Sequence, residues 1–159
     1  MRIFERVVIG SDPWAGNLHR HLAAWLREAA YEVEEVNTAG ASSTPYYEIA
    51  RSVGTRVAAD PTTAGIVLCG TGMGIAMEAN AVPGVSCALC EHPLTAEKSR
   101  VLNNANVLAM GEMVTTPMVA EAITRTFLTT EFGAGIAPEL LAQIKTWHTA
   151  IRRWETAGE

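Results

Sequence analysis

Five short apolar runs alternate with segments whose apolar residues recur at helical spacing, and this alternation constrains the fold of the chain more than any other feature. The runs lie at 6–10, 31–36, 65–68, 85–90 and 106–110. β-Branched side chains pack well on a pleated surface, so short runs of this kind read as strands. Helices are expected between them over about 14–30, 45–59, 72–80, 93–102 and 116–129. In the first helix Leu18, Leu22, Trp25, Leu26 and Ala29 share one face, while His19 and His21 read as surface residues. Thr44 is the expected N-cap of the second helix, after a polar loop over 37–44, and Pro93 suits the first turn of the fourth. A final stripe, Leu141, Ile144, Trp147, Ile151 and Trp154, marks a helix over about 138–155 with no strand left to cover. It is open either to packing on its own domain or to a subunit contact. The expectation is an α/β, three-layer α/β/α domain over 1–159, with a five-stranded parallel, Rossmann-like sheet and an extra C-terminal helix. Ligands bind such sheets at the carboxyl ends of the strands. Here those ends carry Asp12, Cys69 to Gly74, Glu91, His92 and Gly111.

Composition narrows the partners. A chain of 159 residues buries roughly 70% of its unfolded surface on folding, so it needs no metal or disulfide to be stable. The net charge is −5 and no basic run occurs, which argues against nucleic acid but leaves an anionic metabolite open. Arg2, Glu5 and Arg6 interrupt what would be a signal region, and no apolar run reaches the roughly 18 residues of a membrane span. A cytoplasmic protein without a membrane partner is expected. Cys69, Cys87 and Cys90 are odd in number and lie in strand-like runs, which suits reduced thiols. Cys87 and Cys90 have metal-ligand spacing, but strand alternation sends their thiols to opposite faces and no second pair exists. No metal and no cofactor is expected.

The central stretch is Gly65-Ile66-Val67-Leu68-Cys69-Gly70-Thr71-Gly72-Met73-Gly74-Ile75-Ala76-Met77-Glu78-Ala79-Asn80. A buried strand ends in a thiol, alternating glycines turn the chain, and a helix begins. Glycines let a ligand approach the backbone, and amides at a helix start favour negative charge. The glycine spacing is neither G-x-G-x-x-G, because Ile75 stands where the last glycine belongs, nor a Walker loop, because no Lys-Ser/Thr pair follows. Two readings stand on pattern alone: a ligand-binding loop, or a strand-to-helix turn with a structural thiol.

Cys69-Gly70-Thr71-Gly72-Met73-Gly74, followed by Ala79 to Val85, resembles the ribose-5-phosphate isomerase B and galactose-6-phosphate isomerase family. The likeness continues through Ala88 to Cys90, Thr95-Ala96, Arg100, Asn103 to Leu108 and Met110-Gly111, and Gly10-Ser11-Asp12 with Leu18 fit its first strand and helix. The resemblance implies interconversion of aldose and ketose phosphates through a cis-enediolate. It implies Cys69 as the base between C1 and C2, and Thr71 as an aid to ring opening or hydroxyl proton transfer. Substrate would be held by Asp12, the amides of Gly70, Gly72, Met73 and Gly74, and Asn103, with His92 a candidate acid. It also implies a homodimer or homotetramer with shared sites, in which Asn103 serves the partner's Cys69. The chemistry is coherent: a free thiol is only a few per cent thiolate at pH 7, and a helix N-terminus enlarges that fraction.

The departures are specific. Pro13 and Leu102 stand where the family has histidines, the second of which helps to open the sugar ring. Met113 replaces an arginine after the fifth strand, and the stretch from Gly133 to Ala142, where the family has phosphate-binding arginines, holds none. A missing ring-opening histidine points to an open-chain substrate such as a tetrose or tetrulose phosphate. The missing arginines point to phosphate held by other groups, with Lys145, His148, Arg152 and Arg153 as candidates beside a solvated basic face, or to an unphosphorylated sugar or sugar acid. Loss of catalysis in a metabolite-binding relative is the remaining alternative. Trp14, in the loop that should face the sugar, reads equally as ligand platform and as helix-start packing.

Overall fold

The computed structural model describes residues 3–37 and 44–156, with side chains described as far as Ile151. Five parallel strands, β1 (Arg6–Ser11), β2 (Glu32–Glu35), β3 (Thr63–Cys69), β4 (Cys87–Leu89) and β5 (Val107–Gly111), form one sheet in the order β2-β1-β3-β5-β4. The helices are α1 (Gly16–Glu28), α2 (Tyr46–Ala59), α3 (Met73–Asn80), α4 (Pro93–Asn103), α5 (Pro117–Thr129) and α6 (Pro138–Thr156). This is the expected α/β architecture, and among the described residues no helix is long and apolar enough to cross a membrane.

Alternation along the strands divides the core in two. Val7, Ile9, Ile66, Leu68, Leu108 and Met110 pack with α1, α4 and α5 on one face. Val8, Val67, Cys69, Val107 and Ala109 pack with α2 and α3 on the other. Cys90 belongs to the first cluster and Cys87 borders the second, so the two thiols do lie on opposite faces. Both faces being covered, β3 is buried along its whole length, as its near-continuous apolar run requires.

Three local expectations need correction. His19 is not a surface residue: it is fully buried, in register with Ala15, Leu22 and Leu26 on the inner stripe of α1. A polar ring tolerates that position because Nδ1 meets the Ser11 hydroxyl at 2.8 Å and Nε2 meets the Glu35 carboxylate at 2.9 Å. His21 is half-buried and pairs with Glu121. The N-cap of α2 is Pro45, in an extended conformation, rather than Thr44. Of the polar loop expected over 37–44, residues 38–43 lie outside the described residues. The C-terminal helix docks only in part. Ile144 is buried and His148 reaches the Leu102 carbonyl at 3.0 Å, while Leu140, Trp147 and Ile151 remain exposed. The side chains of Arg152, Arg153 and Trp154 lie outside the described residues.

Candidate active site

The chain leaves β1 toward β2 on one side of the sheet, and β3 lies on the other side of β1. Loops following β1 and β3 therefore diverge, and they open a crevice at the carboxyl ends of these two strands. Cys69 is the last residue of β3. Its side chain points to the α2/α3 face and is 7% exposed. It is not sealed off, because with Trp14, Tyr46, Gly70, Thr71, Gly74 and Met113 it lines a cavity of about 320 Å³.

The glycines are set by what surrounds them. Gly72 holds φ +78° at the N-cap of α3, and a Cβ there would meet the Met110 carbonyl carbon at 2.8 Å. Gly111 is forced by the Thr71 backbone, which passes where its Cβ would be. A methyl added at Gly70 would lie 3.2 Å from Met113 Cε and 3.6 Å from Trp14 Cβ, and one added at Gly74 would lie 3.2 Å from the Tyr46 ring. The loop is thus the floor of the cavity, and Trp14, Met113 and Tyr46 are its walls.

Within the turn, the Gly72 N–H donates to Cys69 Sγ at 3.1 Å and the Met73 N–H donates to the Thr71 hydroxyl at 3.4 Å. Gly72 has no side chain to cap α3; Thr71 meets the Met73 N–H, and the Gly74 and Ile75 N–H groups of the same first turn lack intrahelical acceptors. A sulfur that can act as a base and the backbone of Gly70, Thr71 and Gly74 therefore line one small cavity. Such a pairing suits removal of a carbon-bound proton and stabilisation of the oxyanion that results.

Asp12, His92 and Asn103, also expected at the site, are not among the residues that line this cavity. Asp12 caps the 3₁₀ turn Pro13–Ala15, accepting from the Trp14 N–H at 2.9 Å. Burial pushes its carboxyl up, against the N–H groups of Trp14 and Ala15. His92 is the N-cap of α4, where Nδ1 accepts from the Leu94 N–H at 3.1 Å. Asn103 sits at the other end of the sheet, beside the amino ends of β4 and β5. It lines a separate hollow of about 330 Å³ with Asn80, Ser86, Cys87, His148 and Ile151. A larger hollow between α4 and α5, at Glu97, Arg125 and Glu131, is remote from the glycine loop. Trp14 is 70% exposed on the cavity rim, so it is a wall rather than a packed helix start. No sequence pattern marks Tyr46, and Met113 stands out in the sequence only as an arginine of the family that is missing. Their one signal was position, since both follow carboxyl ends of strands.

The chain matches the model of the Ribose/Galactose Isomerase family over residues 7–144. It is 35% identical over 128 residues to a 4-deoxy-4-sulfo-D-erythrose isomerase of a Clostridium species, covering 80% of each chain. It is 32% identical over 136 residues to the D-erythrulose-4-phosphate isomerase of Pectobacterium atrosepticum, covering 84% of this chain and 90% of that one. Among solved structures, the Clostridium thermocellum ribose-5-phosphate isomerase B superposes with a TM-score of 0.87 at 36% identity, covering 97% of this chain and 99% of the other. The chain therefore belongs to the ribose/galactose isomerase family, and it is an isomerase of the aldose–ketose class.

Proposed function

We propose that the chain interconverts a short, open-chain aldose phosphate and its ketose through a cis-enediolate, with a tetrose or tetrulose 4-phosphate as substrate. Cys69 thiolate removes the proton on the carbon next to the carbonyl. The C–H electron pair forms the enediolate double bond and the carbonyl electrons move to oxygen. The same sulfur returns the proton to the neighbouring carbon, while the Thr71 hydroxyl relays a proton between the two oxygens. Within the Gly70–Gly74 turn, the N–H groups not engaged with Cys69 or Thr71 hold the charged oxygens; one such preorganised donor is typically worth about 3–4 kcal/mol in the transition state. The observation that carries this reading is the Gly72 N–H on Cys69 Sγ at the wall of an open cavity.

Two facts favour a four-carbon chain. Among the described residues the cavity lining has no Lys, Arg or His, so no cationic acid for opening a sugar ring lines it. Two relatives are named for four-carbon substrates with an anionic group at C4. Such a substrate has no free hydroxyl at C4 with which to close a five-membered ring. We further propose a homodimer or larger assembly in which Asn103 of one subunit completes the site at the partner subunit's Cys69. The exposed Leu140, Trp147 and Ile151 of α6 support a subunit contact there.

Steady-state kinetics on erythrulose 4-phosphates, the 4-sulfo analogue, ribose 5-phosphate and free tetroses test the reading. The expected result is a kcat/KM for a four-carbon anionic substrate at least about tenfold above that for ribose 5-phosphate. Equal or better turnover of ribose 5-phosphate overturns the open-chain assignment, and turnover of free sugars alone overturns the phosphate.

A further inference from the structure

Glu112 follows the last residue of β5, and its carboxylate reaches the start of α1. One oxygen accepts from the Asn17 and Leu18 N–H groups, each at 3.0 Å, and the other accepts from the Asn17 side-chain amide at 2.8 Å. α1 has no cap of its own, since its N-cap position is held by Ala15. A carboxylate placed there satisfies amides that the helix leaves open and meets the positive end of its dipole. A residue two strands away in the sheet thus closes α1.

Two walls of the cavity mouth flank this contact in the chain. Met113 is the next residue after Glu112, and Trp14 lies just ahead of α1. Both stand over Gly70, with Met113 Cε and Trp14 Cβ near the space that a Gly70 side chain would fill. The loop is tied to the glycine turn by its backbone as well: the Glu112 N–H donates to the Cys69 carbonyl at 3.1 Å and the Met113 N–H to the Gly70 carbonyl at 2.9 Å. The backbone bonds fix the loop against β3, and the carboxylate fixes α1 against the loop. The proposed proton transfer makes no use of Glu112, whose oxygens are engaged with α1.

We infer that Glu112 is a positioning residue that sets the gap between Trp14 and Met113, and so the size of the molecule that reaches Cys69. The inference rests on the isomerase reading only for the identity of that molecule. It makes the Trp14–Met113 mouth the determinant of substrate chain length.

The test is alkylation of Cys69 in the full-length protein, followed by peptide mass spectrometry, with iodoacetamide as the small probe and N-phenylmaleimide as the bulky one. Glu112→Ala should raise the bulky-to-small rate ratio roughly tenfold, because slight misplacements of packed groups have large rate consequences. Glu112→Gln keeps an acceptor oxygen for the α1 amides and should change the ratio by less than about threefold. With sugars, Glu112→Ala should raise kcat/KM for a pentose phosphate relative to a tetrulose phosphate, through KM rather than kcat. An unchanged alkylation ratio in folded Glu112→Ala overturns the inference whatever the sugar assays show. A shifted ratio alongside a parent protein that turns over no tetrulose phosphate keeps the positioning role and removes the proposed substrate instead. Should Glu112→Ala not fold, Met113→Ala removes one wall without touching the α1 contact and must give the same increase; no increase overturns the inference.

Discussion

The N–H of Gly72 lies 3.1 Å from the sulfur of Cys69, and it gets there because Gly72 holds a left-handed φ of +78°. One residue both turns the chain and aims a donor at the thiol. Substituting it therefore touches stability and chemistry together.

Gly72→Ala should cost about 1–3 kcal/mol, from left-handed strain and from contact with Leu89 and Met110. At about 2–4 °C per kcal/mol for a chain of this size, the melting temperature should fall by several degrees, and activity should fall with it. Thermal unfolding and kinetics on the same preparation check this. A variant as stable and as active as the parent contradicts the geometry.

If Asn103 serves the partner subunit's Cys69, Cys69→Ala and Asn103→Ala should each be nearly inactive alone. Coexpressed in equal amounts they should recover about a quarter of the parental activity. Half of the dimers are then mixed, and each mixed dimer has one intact site of its two. No recovery in mixed dimers confirmed by mass spectrometry places Asn103 outside that role.

Acid stability should be governed in part by His19. Burial holds its imidazole below the ordinary value of 6.5, against the pull of Glu35. Glu35 can only accept, so neutral His19 donates from Nε2 and accepts the Ser11 hydroxyl at Nδ1. Between the folded value and 6.5 the unfolded chain binds more protons, so this stability is present above 6.5 and is lost as pH falls below it. Burial also works against the Glu35 carboxylate, but Arg27 and His19 outweigh it and hold the group below its ordinary value. Its contribution is lost at still lower pH. His19→Gln should lower stability at pH 7 and flatten the dependence between pH 7 and 5. An unchanged slope contradicts the buried neutral ring.

Thiol reactivity should be selective. Burial, with a smaller contribution from Cys90, pushes the Cys87 thiol up to about 12, and burial also raises that of Cys90. Near pH 8 iodoacetamide should label Cys69 well before the other two, since the thiolate is the reacting form. Labelling of Cys87 first contradicts the assignment.

The order of elements was legible because each β-branched run and each helical stripe is a local signal. The short edge strand β4 is shorter than its apolar run at 85–90, because Val85 is buried but only Cys87–Leu89 pair with β5. His19 reads as a surface residue in the sequence because its partners, Ser11 and Glu35, come from other elements, and only folding reveals that a polar ring on the inner stripe is satisfied. Cys69, Thr71 and the glycines were legible as one contiguous loop. Tyr46, Met113 and Glu112 were not, because their meaning lies in which strand ends the sheet order brings together.

The most direct measurement is incorporation of solvent deuterium at C1 of erythrulose 4-phosphate and at C2 of the aldose formed from it, followed by NMR, with the parent protein and with Cys69→Ala. Exchange is expected with the parent, and a loss of roughly 100- to 10,000-fold in the variant, the range of a single general base, with the fold intact by circular dichroism. Undiminished exchange in Cys69→Ala contradicts Cys69 as the base.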